Sequence, residues 1–167
     1  PSVVAIIYEN IGVSFSRIGN FSKARIYYDK AESIFNKLHL VQTDNYINIM
    51  ANLASTYSSL NLLPESETYY EKGVRLAMSS NSVNAFTFIN NYCIYLARNN
   101  KVARGEKLLK DALGRAKTQY LMNPNNYFEI LNFYASYLRD NKIDLKKSIE
   151  SYEECFQYLK SNEQDIS

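Results

Sequence analysis

Large and small residues recur along this chain at spacings of three and four. From Tyr8 the order is Tyr8, Ile11-Gly12 and Phe15, then a polar turn around Gly19, then Ala24, Tyr28 and Ala31. It reads large, large-small, large, then small, large, small. Shifted by 42 residues, Met50, Leu53-Ala54, Tyr57, Ser66, Tyr70 and Gly73 fill the same places. A further shift of 39 gives Ile89, Tyr92-Cys93, Leu96, Gly105, Leu109 and Ala112. The fourth copy is Leu131, Tyr134-Ala135 and Leu138, then, after one extra residue in the turn, Ser148, Tyr152 and Cys155. Such spacings put these residues on one helix face. The small residues let two helices approach closely, so each copy is an antiparallel pair with a tight turn. One pair cannot bury its apolar face alone, so the copies stack.

The pattern predicts helices over 2–18, 22–38, 44–60, 64–80, 83–98, 102–120, 125–140 and 144–160. Ser22, Thr43 or Asp44, and Asp144 are candidate caps, their side chains accepting from free N–H groups of a first turn. Pro64, with Glu65 and Glu67 behind it, suits the first turn of the fourth helix. Pro124 falls in the connector before the fourth copy, and the polar tail SNEQDIS is expected to fray. Only 5 Gly and 3 Pro punctuate the chain, which fits long helices better than many short strands.

These residues resemble the tetratricopeptide repeat, in copies of about 5–40, 44–82, 83–121 and 125–160. The first copy matches almost fully, with Gly19 at the turn and Phe21 after it, and the others match more loosely. The Pro that ends each repeat in that family is absent, and the period is near 40 where the family's is about 34. This longer variety is similar to the repeats of kinesin light chains, of spindle-orientation adaptors and of bacterial peptide-sensing regulators. The resemblance implies an all-α fold: a single array, a right-handed α-solenoid of four helix pairs whose first helices line a concave groove. It also implies a non-catalytic scaffold for a protein or peptide partner.

One position is left over by the packing pattern. Asn10, Asn52 and Asn91 each stand directly before the large-small pair, which under the resemblance points into the groove. An Asn amide both donates and accepts, as an extended peptide backbone requires, at about 1 kcal/mol net per bond. The longer-repeat members grip peptides through such an asparagine ladder. Val13, Ser55 and Ile94 come one turn on, then Arg17, Ser59 and Arg98; Glu9, Ala51, Asn48, Thr87 and Asn90 precede. Arg17 and Arg98 suit an acidic side chain or a C-terminus. The fourth copy departs, with Phe133 at the ladder position and Asn132 one place early. A second role stands beside the ladder: such an Asn also bonds a neighbouring repeat and holds the stack. The carboxylate clamp of chaperone-binding members is not expected. Glu9 and Val13 replace its first-repeat Lys and Asn, Thr87 and Asn91 replace its third-repeat Lys and Arg, and Asn52 alone fits.

Charge and chemistry add exclusions. The 19 basic and 17 acidic residues interleave to a net +2 with no basic stripe, which disfavours nucleic acid. Reading of single-stranded RNA by a helix-pair array is disfavoured by the uneven period as well. No run of about 18 apolar residues suggests a membrane span. The start PSVVAII has no basic leader and no Met, and a fragment of a longer protein is expected. Cys93 and Cys155 take small packing positions and lack CxxC context, which reads as reduced, structural and cytoplasmic. His39, the single histidine, falls near a helix end with no nucleophile or carboxylate motif. No enzyme, cofactor or metal site is expected. A second assignment is the sensor segment of a larger bacterial histidine kinase, helix-turn-helix regulator or caspase-like protease. No polar capping helix is evident, so Ile149, Phe156 and Tyr158 of the last helix are candidates for self-association.

Overall fold

The computed structural model describes residues 2–79, 84–120 and 123–164. Its helices are α1 (Ser2–Arg17), α2 (Phe21–Lys37), α3 (Asp44–Ser59), α4 (Leu63–Ser79), α5 (Ala85–Arg98), α6 (Val102–Thr118), α7 (Pro124–Asp140) and α8 (Leu145–Gln164). No strand occurs among the described residues. The fold is all-α, made of successive helix pairs. The chain forms two compact units, Pro1–Phe88 and Ile89–Ser167, and the boundary between them falls inside α5.

In the first unit α1 packs on α2, α2 on α3, and α3 on α4. The pattern residues make these contacts. Gly12 lies against the Tyr28 ring, where a Cβ would come within 2.6 Å of Cε1. Leu53, Ala54, Ser66, Tyr70 and Gly73 are buried. The Ser66 hydroxyl donates to the Ala54 carbonyl at 2.8 Å, so the small polar residue is satisfied at the point of closest approach. The first turn of α5 belongs to this unit, and Phe88 sits on Gly73 of α4 with Tyr70 edge-on to its ring.

The second unit repeats the arrangement. α6 packs on α7, and α7 on α8. The Cys93 thiol of α5 donates to the Gly105 carbonyl of α6. Ser148 donates to the Ala135 carbonyl at 2.8 Å, the same bond one pair later. Tyr137 lies on Gly105, and its hydroxyl donates to the Val102 carbonyl at 3.0 Å.

Each turn from first to second helix uses one conformation. Gly19, Asn61, Asn100 and Lys142 all take positive φ, between 53° and 77°. The next N–H reaches back to the carbonyl five residues before it, as in Asn20 to Phe15 at 2.9 Å and Ile143 to Leu138 at 2.9 Å. This is a left-handed helix stop, which satisfies the last free carbonyls. The extra residue of the fourth copy comes after this point, where Asp144 accepts from Lys147 N–H at 2.8 Å and caps α8.

Some ends differ from expectation. Asn20, not Ser22, caps α2, because its side chain reaches Lys23 N–H while Ser22 already lies inside the helix. Thr43 caps α3. Pro124 opens α7, with Asn123 as its cap, instead of lying in a connector. α8 continues through Gln164, past the expected start of fraying. Tyr158 is not on the open face of α8: it stacks on Phe128 at 3.8 Å between ring centroids and donates to the Asn125 side chain.

Candidate functional site

The first helices carry the candidate site in each unit. In the first unit, Asn52 of α3 donates from Nδ2 to Glu9 Oε1 of α1 at 3.1 Å. Burial pushes the Glu9 carboxyl up, and donation from Asn52 pulls it partly back. Tyr28 is pushed up to about 12, by burial first and by the Glu9 charge second. Asn52 therefore links two first helices, while Asn10 is exposed on α1. Arg17, Ser55 and Ser59 are also exposed. Asn48 accepts from Asn84 Nδ2 at 3.3 Å.

In the second unit, α5 and α7 enclose a groove of about 380 Å³. Asn90, Ile94 and Arg98 of α5 face Asn132, Phe133 and Ser136 of α7 across it. Asp140 stands at one end, and its carboxylate is paired with the neighbouring Arg139 at 2.8 Å. The Ser136 hydroxyl is 2.7 Å from the Tyr152 hydroxyl. Asn91 is exposed and does not line this groove; Asn90, one residue earlier, does. Asn132 is the partner of Asn90 because the two are 42 residues apart, the same shift that relates Gly19 to Asn61. That interval was present in the sequence, hidden beneath the more regular column of Asn10, Asn52 and Asn91.

A polar cluster in the first unit had no sequence signal, since its members come from three helices. Lys72 Nζ of α4 lies 2.7 Å from Glu32 Oε1 of α2 and donates to the Tyr46 hydroxyl of α3 at 2.7 Å. Tyr46 in turn donates to the Asn36 side chain at 3.0 Å, and Tyr69 to Glu32 Oε2 at 3.0 Å. Burial works against the Lys72 ammonium, but bonds to Glu32 and Tyr46 outweigh it and leave its pKa raised. The cluster braces α2, α3 and α4.

Cys93 is buried, and burial pushes its thiol up to about 12, which removes nucleophilic character near neutrality. His39 takes φ 55° just beyond α2 and donates its N–H to the Asn36 carbonyl, so its role there is to end a helix. Among the described residues, no three His, Cys, Asp or Glu side chains gather where they could hold a metal ion. No helix among them is long and apolar enough to cross a membrane.

Comparison with known proteins places this architecture. Residues 3–79, which span α1 to α4, match the tetratricopeptide repeat family. No curated protein matches the chain. The crystal structure of BtubC (BKLC) from P. vanneervenii aligns with a TM-score of 0.69 at 18% identity, over 95% of this chain. The chain spans 64% of the length of that one. The likeness carries the same fold through both units. Tetratricopeptide repeats are in general protein–protein interaction modules.

Proposed function

We propose that this chain is a non-catalytic, long-period tetratricopeptide scaffold that holds an extended segment of a partner protein on its first helices. The α5–α7 groove carries the proposal. Two amide side chains, Asn90 and Asn132, converge on it from facing helices, with Arg98 beside them and Ile94 and Phe133 as apolar walls. Amides meet the alternating N–H and C=O groups of an extended backbone, and Arg98 supplies a charge-assisted bond to an acidic side chain or a terminal carboxylate. In the first unit Asn52 is engaged by Glu9, which fits the stack-holding role and leaves Asn10, Arg17, Ser55 and Ser59 as the exposed polar positions open to a ligand.

The test is a peptide-array screen with the full chain, followed by titration of the best peptide. Changing Asn90 and Asn132 together to Ala removes two bonds of roughly 1 kcal/mol each and is expected to weaken binding roughly tenfold or more. Changing Arg98 to Ala is expected to remove the preference for acidic peptides. Unchanged affinity in both variants contradicts the proposal.

A further inference from the structure

The four copies bring one column of residues to the same place on each first helix: Glu9, Ala51, Asn90 and Asn132, at intervals of 42, 39 and 42. In the second unit, Asn90 and Asn132 of this column line the α5–α7 groove, and Phe133 stands beside them. The matching positions on α1 and α3 are Glu9, Ala51 and Asn52. Where the second unit has two amides and a ring, the first has a carboxylate, a small residue and an amide. The bond from Asn52 Nδ2 to Glu9 Oε1 at 3.1 Å fixes Glu9 on the side of α1 turned towards α3, so α1 and α3 together set its surroundings.

Glu9 is partly buried and lacks a counter-charge. Among the described residues, Asn52 is its one hydrogen-bond partner and no basic side chain pairs with it. Lys23, Lys30 and Lys72 are engaged elsewhere: over Phe15, over Tyr8 and Tyr27, and with Glu32. Burial pushes the Glu9 carboxyl up further than Asn52 pulls it back, the mark of a charge short of partners. Taking a carboxylate out of water is costly unless donors or a cation repay it, and one amide donor satisfies one oxygen. Glu9 Oε2 keeps its accepting capacity. Because Asn52 donates, its own Oδ1 is a second acceptor, with no donor among the described residues. Two acceptors side by side, one of them charged, suit a cation with several N–H donors, an ammonium or a guanidinium. Ala51 and Ser55 next to Asn52 are small, and Val13 one turn from Glu9 is apolar, which gives the aliphatic stem of such a side chain a path.

We infer that Glu9 and Asn52 form a subsite for a Lys or Arg side chain of the bound segment. The inference rests on the first helices holding a partner segment, as proposed above, and adds a specificity to it. The first unit takes a basic residue at Glu9, whereas the second takes an acidic group at Arg98. The bond that links α1 to α3 also aims the two acceptors.

The test uses the full chain and two kinds of probe. N-acetyl-arginine amide and N-acetyl-lysine amide are titrated into isotope-labelled protein and followed by NMR, with N-acetyl-glutamine amide as the neutral control. The side-chain amide signals of Asn52 are expected to shift with the two cations and not with the control. Glu9→Gln, which keeps an acceptor for Asn52, is expected to abolish the shift. In the second arm, peptides found by array screening are compared with copies in which each Lys or Arg in turn becomes Gln. One such replacement is expected to weaken binding to the wild type about tenfold, as loss of a charge-assisted bond does, and to leave binding to Glu9→Gln unchanged. No shift at Asn52, or the same shift in Glu9→Gln, overturns the inference whatever the peptides do. Bound peptides without Lys or Arg, or a basic preference that survives in Glu9→Gln, overturn it too. Peptides that bind the Asn90→Ala, Asn132→Ala variant as tightly as the wild type, with the Asn52 shift intact, contradict the reading of the α5–α7 groove instead and leave the cation subsite standing.

Discussion

The turn positions Gly19, Asn61, Asn100 and Lys142 share one backbone conformation but differ in its cost. Gly takes a left-handed conformation freely and Asn at modest cost, whereas Lys is disfavoured by roughly 1–2 kcal/mol. Lys142→Gly is therefore expected to stabilise the chain by about 0.5–1 kcal/mol in urea unfolding, and Gly19→Ala to destabilise it by about 1 kcal/mol. Space around the Gly19 Cβ position is open, so strain alone sets that loss. Two glycines inside α6 separate packing from propensity. A Cβ on Gly105 would collide with the Tyr137 hydroxyl and come 2.8 Å from its ring carbon Cζ, while a Cβ on Gly114 would meet nothing. Gly105→Ala is expected to cost about 1–3 kcal/mol, and Gly114→Ala to gain about 0.5–1 kcal/mol, both read by thermal and urea unfolding.

Between elements, two polar contacts carry distinct expectations. Glu32 receives Lys72 and Tyr69 with its side chain only 14% exposed. Glu32→Ala removes a charge-assisted bond from Lys72 and the acceptor of Tyr69, so a loss of about 2 kcal/mol is expected, with no change in helix content by circular dichroism. Glu9 behaves differently. Its pKa is raised by burial, so the folded chain holds a proton there more tightly than the unfolded chain. That lowers stability as pH rises from the ordinary carboxylate range through the raised value. Glu9→Gln keeps an acceptor for Asn52 without the buried charge. The variant is expected to melt higher than wild type at neutral pH, with the difference closing as pH falls into the ordinary carboxylate range. A wild type that melts higher at neutral pH counts against this account. Helix extents were legible because small-large-small spacings recur four times, whereas Glu32 with Lys72 and Glu9 with Asn52 depend on which turn of one helix meets which turn of the next. Cap identity was legible only where one candidate stood alone, as at Asp144. At α2, Asn20 and Ser22 competed, and only the helix start decides between them.

For the molecule as a whole, the fold could be read from its repeat, and the candidate site only in part. Ile94 and Arg98, which the register assigns to one helix face, line the cavity between α5 and α7. The most regular interval relates Asn10, Asn52 and Asn91, but the groove of the second unit is lined by Asn90 and Asn132. The two columns differ by a single residue, a rotation of about 100° around the helix, which sequence alone cannot resolve without knowing where the neighbouring first helix lies. The central claim is that these two amides hold a peptide backbone. It is tested most directly by calorimetric titration of one bound peptide into the wild type and into the variant with Asn90 and Asn132 both changed to Ala, alongside their melting curves. The account predicts roughly tenfold or greater loss of affinity with melting unchanged. Equal affinity, or a loss of stability large enough to explain the weakened binding, would contradict it.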